Sequence, residues 1–240
     1  FFQETDTKFR IKIPSLPAGD TNVNMYYGNT LATNAVDSFR FLKSRIISYY
    51  TLNESSGNTI DRCGKYNGTV TGAAYSQTGR VNTAYGFGGD GDRVDFGQQA
   101  EFDFGNSNFT FSLWVYPTEA VGFYEYFFGY VQNDSAGPWL FGRNTSGNLR
   151  VLMAHPTTWD TLVDTTLSMP TNNWSHIVIV RNGTNVYPYV NNSAGAPITN
   201  VDTLSTQATR TLKIGTYGSG EYFQGTIDEV GIWNRALTSD

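Results

Sequence analysis

The sequence predicts an all-β protein, an antiparallel two-sheet sandwich of the jelly-roll kind, and three observations predict it. Aromatic residues make up 15% of the 240 and charged residues only 15%, where soluble domains usually carry about a quarter charged. Gly, Asn, Ser and Thr are abundant, and Gly, Asn and Ser are the residues that tolerate turn geometry. Short runs rich in aromatic and β-branched residues recur between Asn-Gly, Gly-Asn and Gly-Gly pairs, which is the pattern of many short strands.

In chain order, "KFRIKIPSLPAGDTNVNMYYGN" reads as a hairpin. Phe9, Ile11 and Ile13 alternate with Lys8, Arg10 and Lys12, "PAGD" supplies a turn, and Val23, Met25 and Tyr27 continue the alternation. The polar stretch "TLATNAVDSFRFLKSR" reads as a connector with room for one helical turn. These features divide the chain into an N-terminal β segment and connector at 1–44 and a larger domain at 45–240. Strand-like segments then follow: "RIISYYTL", "AYGFGG", "RVDFG", "FTFSLWVYP", "YEYFFGYV", "WLFGR", "LRVLMA", "WSHIVIVRNG", "NVYPYVNN", "TLKIGTY" and "GTIDEVGIW". In "FTFSLWVYP", Phe109, Phe111, Leu113 and Val115 share one face while Trp114 and Tyr116 share the other. That pattern predicts a strand buried on both sides.

Charge and composition exclude several function classes. A net charge of −5 with no Lys/Arg run argues against nucleic-acid binding, which needs a clustered basic face. The single cysteine, Cys63, cannot form an intramolecular disulfide, and two histidines with one cysteine cannot build an ordinary structural zinc site. No apolar run approaches the length of a membrane span. The start at "FFQETDTKF" reads as a segment of a longer or processed protein.

Five motifs, in order, carry a family likeness. "YYTLNESSGNTIDRCGKYNGTV", "AYGFGGDGDRVDFG", "FTFSLWVYP", "NNWSHIVIVRNG" and "FQGTIDEVGIWNRALTSD" resemble successive strands of the laminin-G-like, concanavalin A-like jelly-roll module. The resemblance covers roughly residues 46–240. It implies that the opening and closing strands lie side by side, and it departs from the family at Asn191-Asn192, where Asp-Gly is common and a different turn is expected. The segment "IKIPSLPAGDTNVNMYYGN" resembles the end of a β domain that precedes such modules in bacterial, archaeal and viral surface proteins. Exposure on a cell, a virion or the extracellular side is what these likenesses imply.

Glycoside hydrolases share this type of fold, and the relevant glucanases place two glutamates on one strand face as Glu-x-Asp-x-x-Glu. In "EFDFGN", Glu101 and Asp103 are present but Asn106 replaces the second glutamate. The adjacent Asp228 and Glu229 should point to opposite faces of a strand and so cannot flank one glycosidic bond. His155 and His176 lack a Gly-x-Ser-x-Gly partner, and Cys63 has no nucleophile signature. An enzyme is therefore not expected.

Calcium is the expected cofactor, since it takes oxygen ligands from irregular loops. Asp90 and Asp92 lie in "GGDGD". Asp228, on a face shared by alternation with Val230 and Ile232, needs compensation when buried. A calcium ion shared with Glu54 or Asp61 is one solution, and backbone amides or Arg235 are the other. For carbohydrate, whose C–H faces pack on aromatic rings, the candidates are Tyr124, Tyr126, Trp139 and Trp159, all near loop signals. Among the Asn-x-Ser/Thr sequons, Asn67 and Asn182 sit in Asn-Gly-Thr turns and are the most accessible glycosylation acceptors.

The expected function is a non-catalytic binding module of an exposed surface protein that recognises glycans or a cell-surface polysaccharide. The alternative is a structural subunit of a surface assembly, such as a capsid decoration, fibre or filament. It would associate with copies of itself or neighbouring subunits when "FRIKIP" or "NVNMYYG" completes another sheet.

Overall fold

The computed structural model describes residues 46–132, 135–153, 161–199, 201, 204, 209–216 and 220–238. The expected N-terminal hairpin and its role in association fall outside these residues. Among the described residues fifteen strands follow one another: β1 (Ile46–Tyr50), β2 (Thr69–Thr71), β3 (Ala74–Thr78), β4 (Thr83–Gly88) and β5 (Arg93–Asp95) come first. Next are β6 (Phe109–Pro117), β7 (Glu125–Gln132), β8 (Ser135–Arg143), β9 (Asn148–Met153) and β10 (Thr161–Ser168). The last are β11 (Ser175–Asn182), β12 (Asn185–Val190), β13 (Ser193–Ala194), β14 (Thr211–Ile214) and β15 (Gln224–Trp233). One 3-10 turn, Ala100–Phe102, interrupts the strands.

The strands form two antiparallel sheets. One runs β13-β12-β11-β6-β15-β4-β3 with β1 on the far half of β15, and the other runs β10-β9-β8-β7-β14-β5-β2. The closing strand is thus central, and the opening strand pairs with it through Tyr50↔Val230 and Tyr49↔Gly231. Between β12 and β13, Asn191 and Asn192 both take positive φ, 50° and 67°, with Val190 paired to Ser193. Two positive-φ residues match the two-residue hairpin turn whose twist suits its strands, and asparagine tolerates that conformation.

The alternation in β6 explains the core. Phe109, Phe111, Leu113 and Val115 are fully buried and meet the facing sheet, with Phe111 4.5 Å from Trp139 and 5.3 Å from both Phe128 and Phe141 between ring centroids. Such tilted aromatic contacts add to the burial of large apolar surfaces. The other face of β6 is only half-buried, which corrects the expectation of burial on both sides. There Arg80 lies over the Trp114 ring at 4.7 Å, His176 stacks beside it at 4.8 Å and Trp174 packs on Tyr116.

A second correction concerns β15. Glu229 adopts φ 53°, and the register with β6 shifts between Asp228 and Gly231. This bulge breaks the period of two. Ile227, Val230 and Ile232 join the core, while Asp228 pairs across from the outward Trp114. Glu229 accepts a hydrogen bond from the Tyr49 hydroxyl.

Candidate ligand-binding cleft

Residues 118–124 carry the chain from one sheet to the other at the end of β6. Their ends are fixed by backbone bonds: Thr118 N–H donates to the Gln224 carbonyl (2.9 Å), Asn172 N–H to Pro117 (2.7 Å) and Tyr126 N–H to Glu221 (3.1 Å). In between, Gly122 takes φ +123°, a conformation that a side chain would strain. The loop therefore leaves its sheet and presents its own side chains outward. With the β4–β5 loop, the β8–β9 turn and the chain leading into β15 it encloses a cleft of about 480 Å3.

Beneath the cleft lies a buried ion pair, of which Glu125 contributes to the lining. Arg143 Nη2 stands 2.7 Å from Glu125 Oε2, with both side chains shielded from water. Glu125 Oε1 accepts the Gln224 N–H at 3.1 Å. The guanidinium also donates to the Glu119 carbonyl (2.6 Å) and to the Thr171 hydroxyl (3.0 Å). Burial raises the Glu125 carboxyl above the usual carboxylate range, while Arg143 and the Gln224 amide pull it back down. Arg143 thereby ties the first residue of β7 to the loop that overhangs the cleft.

The rim is apolar and exposed. Phe123 is 63% exposed, Val121 55% and Tyr124 37%. Ile60, 39% exposed, is the one further exposed large apolar side chain among the described residues. Arg150 lies over the Tyr124 ring at 4.0 Å and reaches Asp164 at 3.5 Å. Glu119, Tyr222, Gln224, Glu221 and Thr145 supply polar groups around the same opening. Flat apolar faces beside a few convergent polar groups suit a hydroxyl-rich ligand with an apolar C–H face.

Of the expected carbohydrate-binding residues, Tyr124 is at this cleft and Trp159 lies outside the described residues. Trp139 and Tyr126 need correction. Trp139 is fully buried, stacked on Tyr130 and Phe141 in the centre of the sandwich. Tyr126 is buried with Val131, Leu140 and Leu152. Both rings are buried within strands and offer no exposed face to a ligand. The cleft-lining residues that sequence reasoning missed include Phe123, Glu119 and Glu221, with Val121 exposed on the same loop. Their signal was the apolar pair around Gly122 in "TEAVGFY", at odds with the polar composition of an ordinary turn.

The five carboxylates expected to hold calcium do not come together. Asp61 accepts four backbone N–H groups, from Tyr49 (3.0 Å), Cys63 (2.9 Å), Lys65 (3.1 Å) and Tyr66 (3.1 Å). A ring of N–H donors has the same sign of potential as a cation, so it replaces a metal ion and repels one. Glu54 is taken by Arg62 (3.0 Å) and the Tyr85 hydroxyl (2.9 Å). Asp228 Oδ2 accepts the Val81 N–H at 2.9 Å, while its buried Oδ1 has no hydrogen-bond partner among the described residues. Asp92 accepts the Gly88 N–H at 2.7 Å, and Asp90 is exposed. Among the described residues no three His, Cys, Asp or Glu side chains are grouped to hold a metal, and these five do not fit calcium.

The remaining candidates are dispersed. Glu101, exposed on the 3-10 turn, is held below the usual carboxylate range by the Tyr66 hydroxyl. His176 Nε2 and Ser112 Oγ are 2.9 Å apart, and burial lowers the imidazole. The pair lies on a sheet face, where among the described residues no carboxylate bonds the other ring nitrogen, unlike a nucleophile–base–orienter array. His155 lies outside the described residues. Asn67 and Asn182 are both exposed.

Residues 87–240 match a laminin G-like family described as the concanavalin A-like lectin/glucanases superfamily. The chain belongs to that superfamily. Solved structures share its fold. Domain 4 of the extracellular family-43 arabinanase AbnA from Geobacillus stearothermophilus, solved with arabinotriose, is 22% identical with a TM-score of 0.61, over 81% of this chain and 94% of that one. The Trypanosoma rangeli sialidase is 15% identical with a TM-score of 0.64, over 82% of this chain and 31% of its own. The binding domain of Paraclostridial Mosquitocidal Protein 1 is 18% identical with a TM-score of 0.64, over 82% and 50%. The chain thus spans about a third of the sialidase and half of the toxin domain. No match was found among curated protein sequences. At these identities the neighbours establish the fold and not its ligand.

Proposed function

We propose that residues 46–240 form a non-catalytic carbohydrate-binding module of an extracellular or virion-surface protein, with the cleft beside Tyr124 as its ligand site. One observation carries this reading. Three large apolar side chains, Val121, Phe123 and Tyr124, are exposed together on one loop beside a cleft lined by polar groups. Exposed apolar surface concentrated at a concavity marks a binding site rather than a core. The arabinotriose bound to domain 4 of the arabinanase and the binding role of the toxin domain agree with this class of function.

Binding fits the cleft better than hydrolysis does. Glycoside hydrolysis needs one carboxylic acid free to protonate the leaving oxygen and a second across the bond. Glu125 has the raised pKa of an acid, yet its two oxygens are engaged by Arg143 and the Gln224 amide. Adhesion to a glycan-bearing surface follows from such a module, and Asn67 and Asn182 are its proposed sites of glycan attachment. The alternative, a structural subunit of a surface assembly, rests on residues 1–44 outside the described structure.

The test is a broad glycan array read with the protein and with Phe123→Ala and Tyr124→Ala variants. Reproducible binding that falls at least tenfold in either variant, with unchanged melting, supports the cleft. Binding untouched by both variants would move the site elsewhere, and a blank array from folded protein would favour the assembly subunit.

A further inference from the structure

The sign of charge around the cleft narrows the ligand, given the carbohydrate-binding reading above. Glu119, Glu125 and Glu221 contribute to its lining, and no lysine, arginine or histidine does so among the described residues. The two nearby guanidinium groups are already matched. Arg143 is fully buried against Glu125, and Arg150 is shared between Asp164 and the Tyr124 ring. Among the described residues neither Glu119 nor Glu221 has a cation as partner.

An ionised carboxylate accepts hydrogen bonds and donates none. Vicinal sugar hydroxyls can donate to it in charge-assisted bonds, which are the stronger class. A uronate, sialate or sulfate group would instead enter a site of its own sign without a cation to replace its water. We infer that the cleft selects uncharged, hydroxyl-rich glycans, whose hydroxyls donate to Glu119 and Glu221 while a C–H face packs on Phe123 and Tyr124, and that it rejects acidic ones.

The experiment uses matched pairs on the array: neutral pentose and hexose oligosaccharides beside their uronic, sialylated and sulfated counterparts, with chelator throughout to remove cation bridging. Neutral ligands are expected to bind at least tenfold more tightly than their acidic partners. Glu119→Gln with Glu221→Gln should lower neutral binding several-fold and shrink that discrimination. Acidic glycans bound as well as neutral ones, and lost on Tyr124→Ala, would overturn this inference and leave the carbohydrate reading standing. A blank array, or binding indifferent to Tyr124→Ala, would overturn both.

Discussion

Arg143 and Glu125 meet at 2.7 Å beneath the cleft with neither side chain exposed to solvent. The pair joins two sheet strands to the loop that carries the exposed aromatics, because the same guanidinium holds the Glu119 carbonyl. Removing one member of a buried pair strands the other, which costs about 3–5 kcal/mol. Arg143→Ala should therefore lower the unfolding free energy by about that amount in denaturant titrations. Arg143→Met with Glu125→Leu should lose much less, and an equal loss in both would refute the stranded-charge explanation.

Asp228 gives a pH dependence. Burial pushes its carboxyl up to about 6, whereas in the unfolded chain it titrates at about 3.9. Between those values the native state holds more protons, so this group makes stability fall as pH rises, with the full penalty present above about 6. Asp228→Asn keeps an oxygen to accept the Val81 N–H but cannot ionise. Relative to the parent, the variant should gain about 2–3 kcal/mol more at pH 7 than at pH 4. A difference independent of pH would exclude the ionisation account.

Trp139 and Tyr124 should separate stability from binding. Trp139→Ala opens a cavity among Phe104, Phe111, Phe128 and Phe141 and should cost about 3–5 kcal/mol. Tyr124→Ala removes an exposed ring and its contact with Arg150, worth about 0.5–1 kcal/mol, so thermal melting should hardly move. A large melting shift for Tyr124→Ala would assign that ring to the scaffold.

Gly142 is required by close approach. A Cβ there would collide with the Glu125 carbonyl oxygen and press on the Tyr126 ring. Gly142→Ala must push β7 away from β8, and overpacking of this kind costs about 1–3 kcal/mol. Wild-type stability in that variant would show that the two strands have slack.

Asp61 and Glu54 are engaged by N–H, guanidinium and hydroxyl donors, and Asp92 and one oxygen of Asp228 by backbone N–H groups. Melting in excess chelator should equal melting in added calcium, since an ion bound to the native state alone would raise its stability. A calcium-dependent rise would show that the native state binds the ion and overturn this reading of the carboxylates.

Period-two alternation located eleven of the fifteen described strands, because in a strand the face is set by parity alone, but it passed over β2, β3, β10 and β13. Phe109, Phe111, Leu113 and Val115 all reached the core as that parity required. The rule failed at Asp228, where a single residue at positive φ, Glu229, reset the parity without altering composition. Trp139 shows a different limit. Its sequence neighbours "AGPW" resemble a loop, but strand β8 extends through them and carries the ring inward.

The amino-acid sequence by itself determined the all-β class, through local alternation and turn chemistry, while its family motifs carried the superfamily and the side-by-side placing of the opening and closing strands. Only the tertiary structure decided which aromatics face water, which carboxylates face N–H donors and where the cleft opens. Those outcomes depend on residues distant in the chain: Glu125 meets Gln224, Asp228 meets Val81, and Arg143 meets Glu119. Partners of that kind are brought together by sheet packing, and nothing in the spacing of a single strand encodes them.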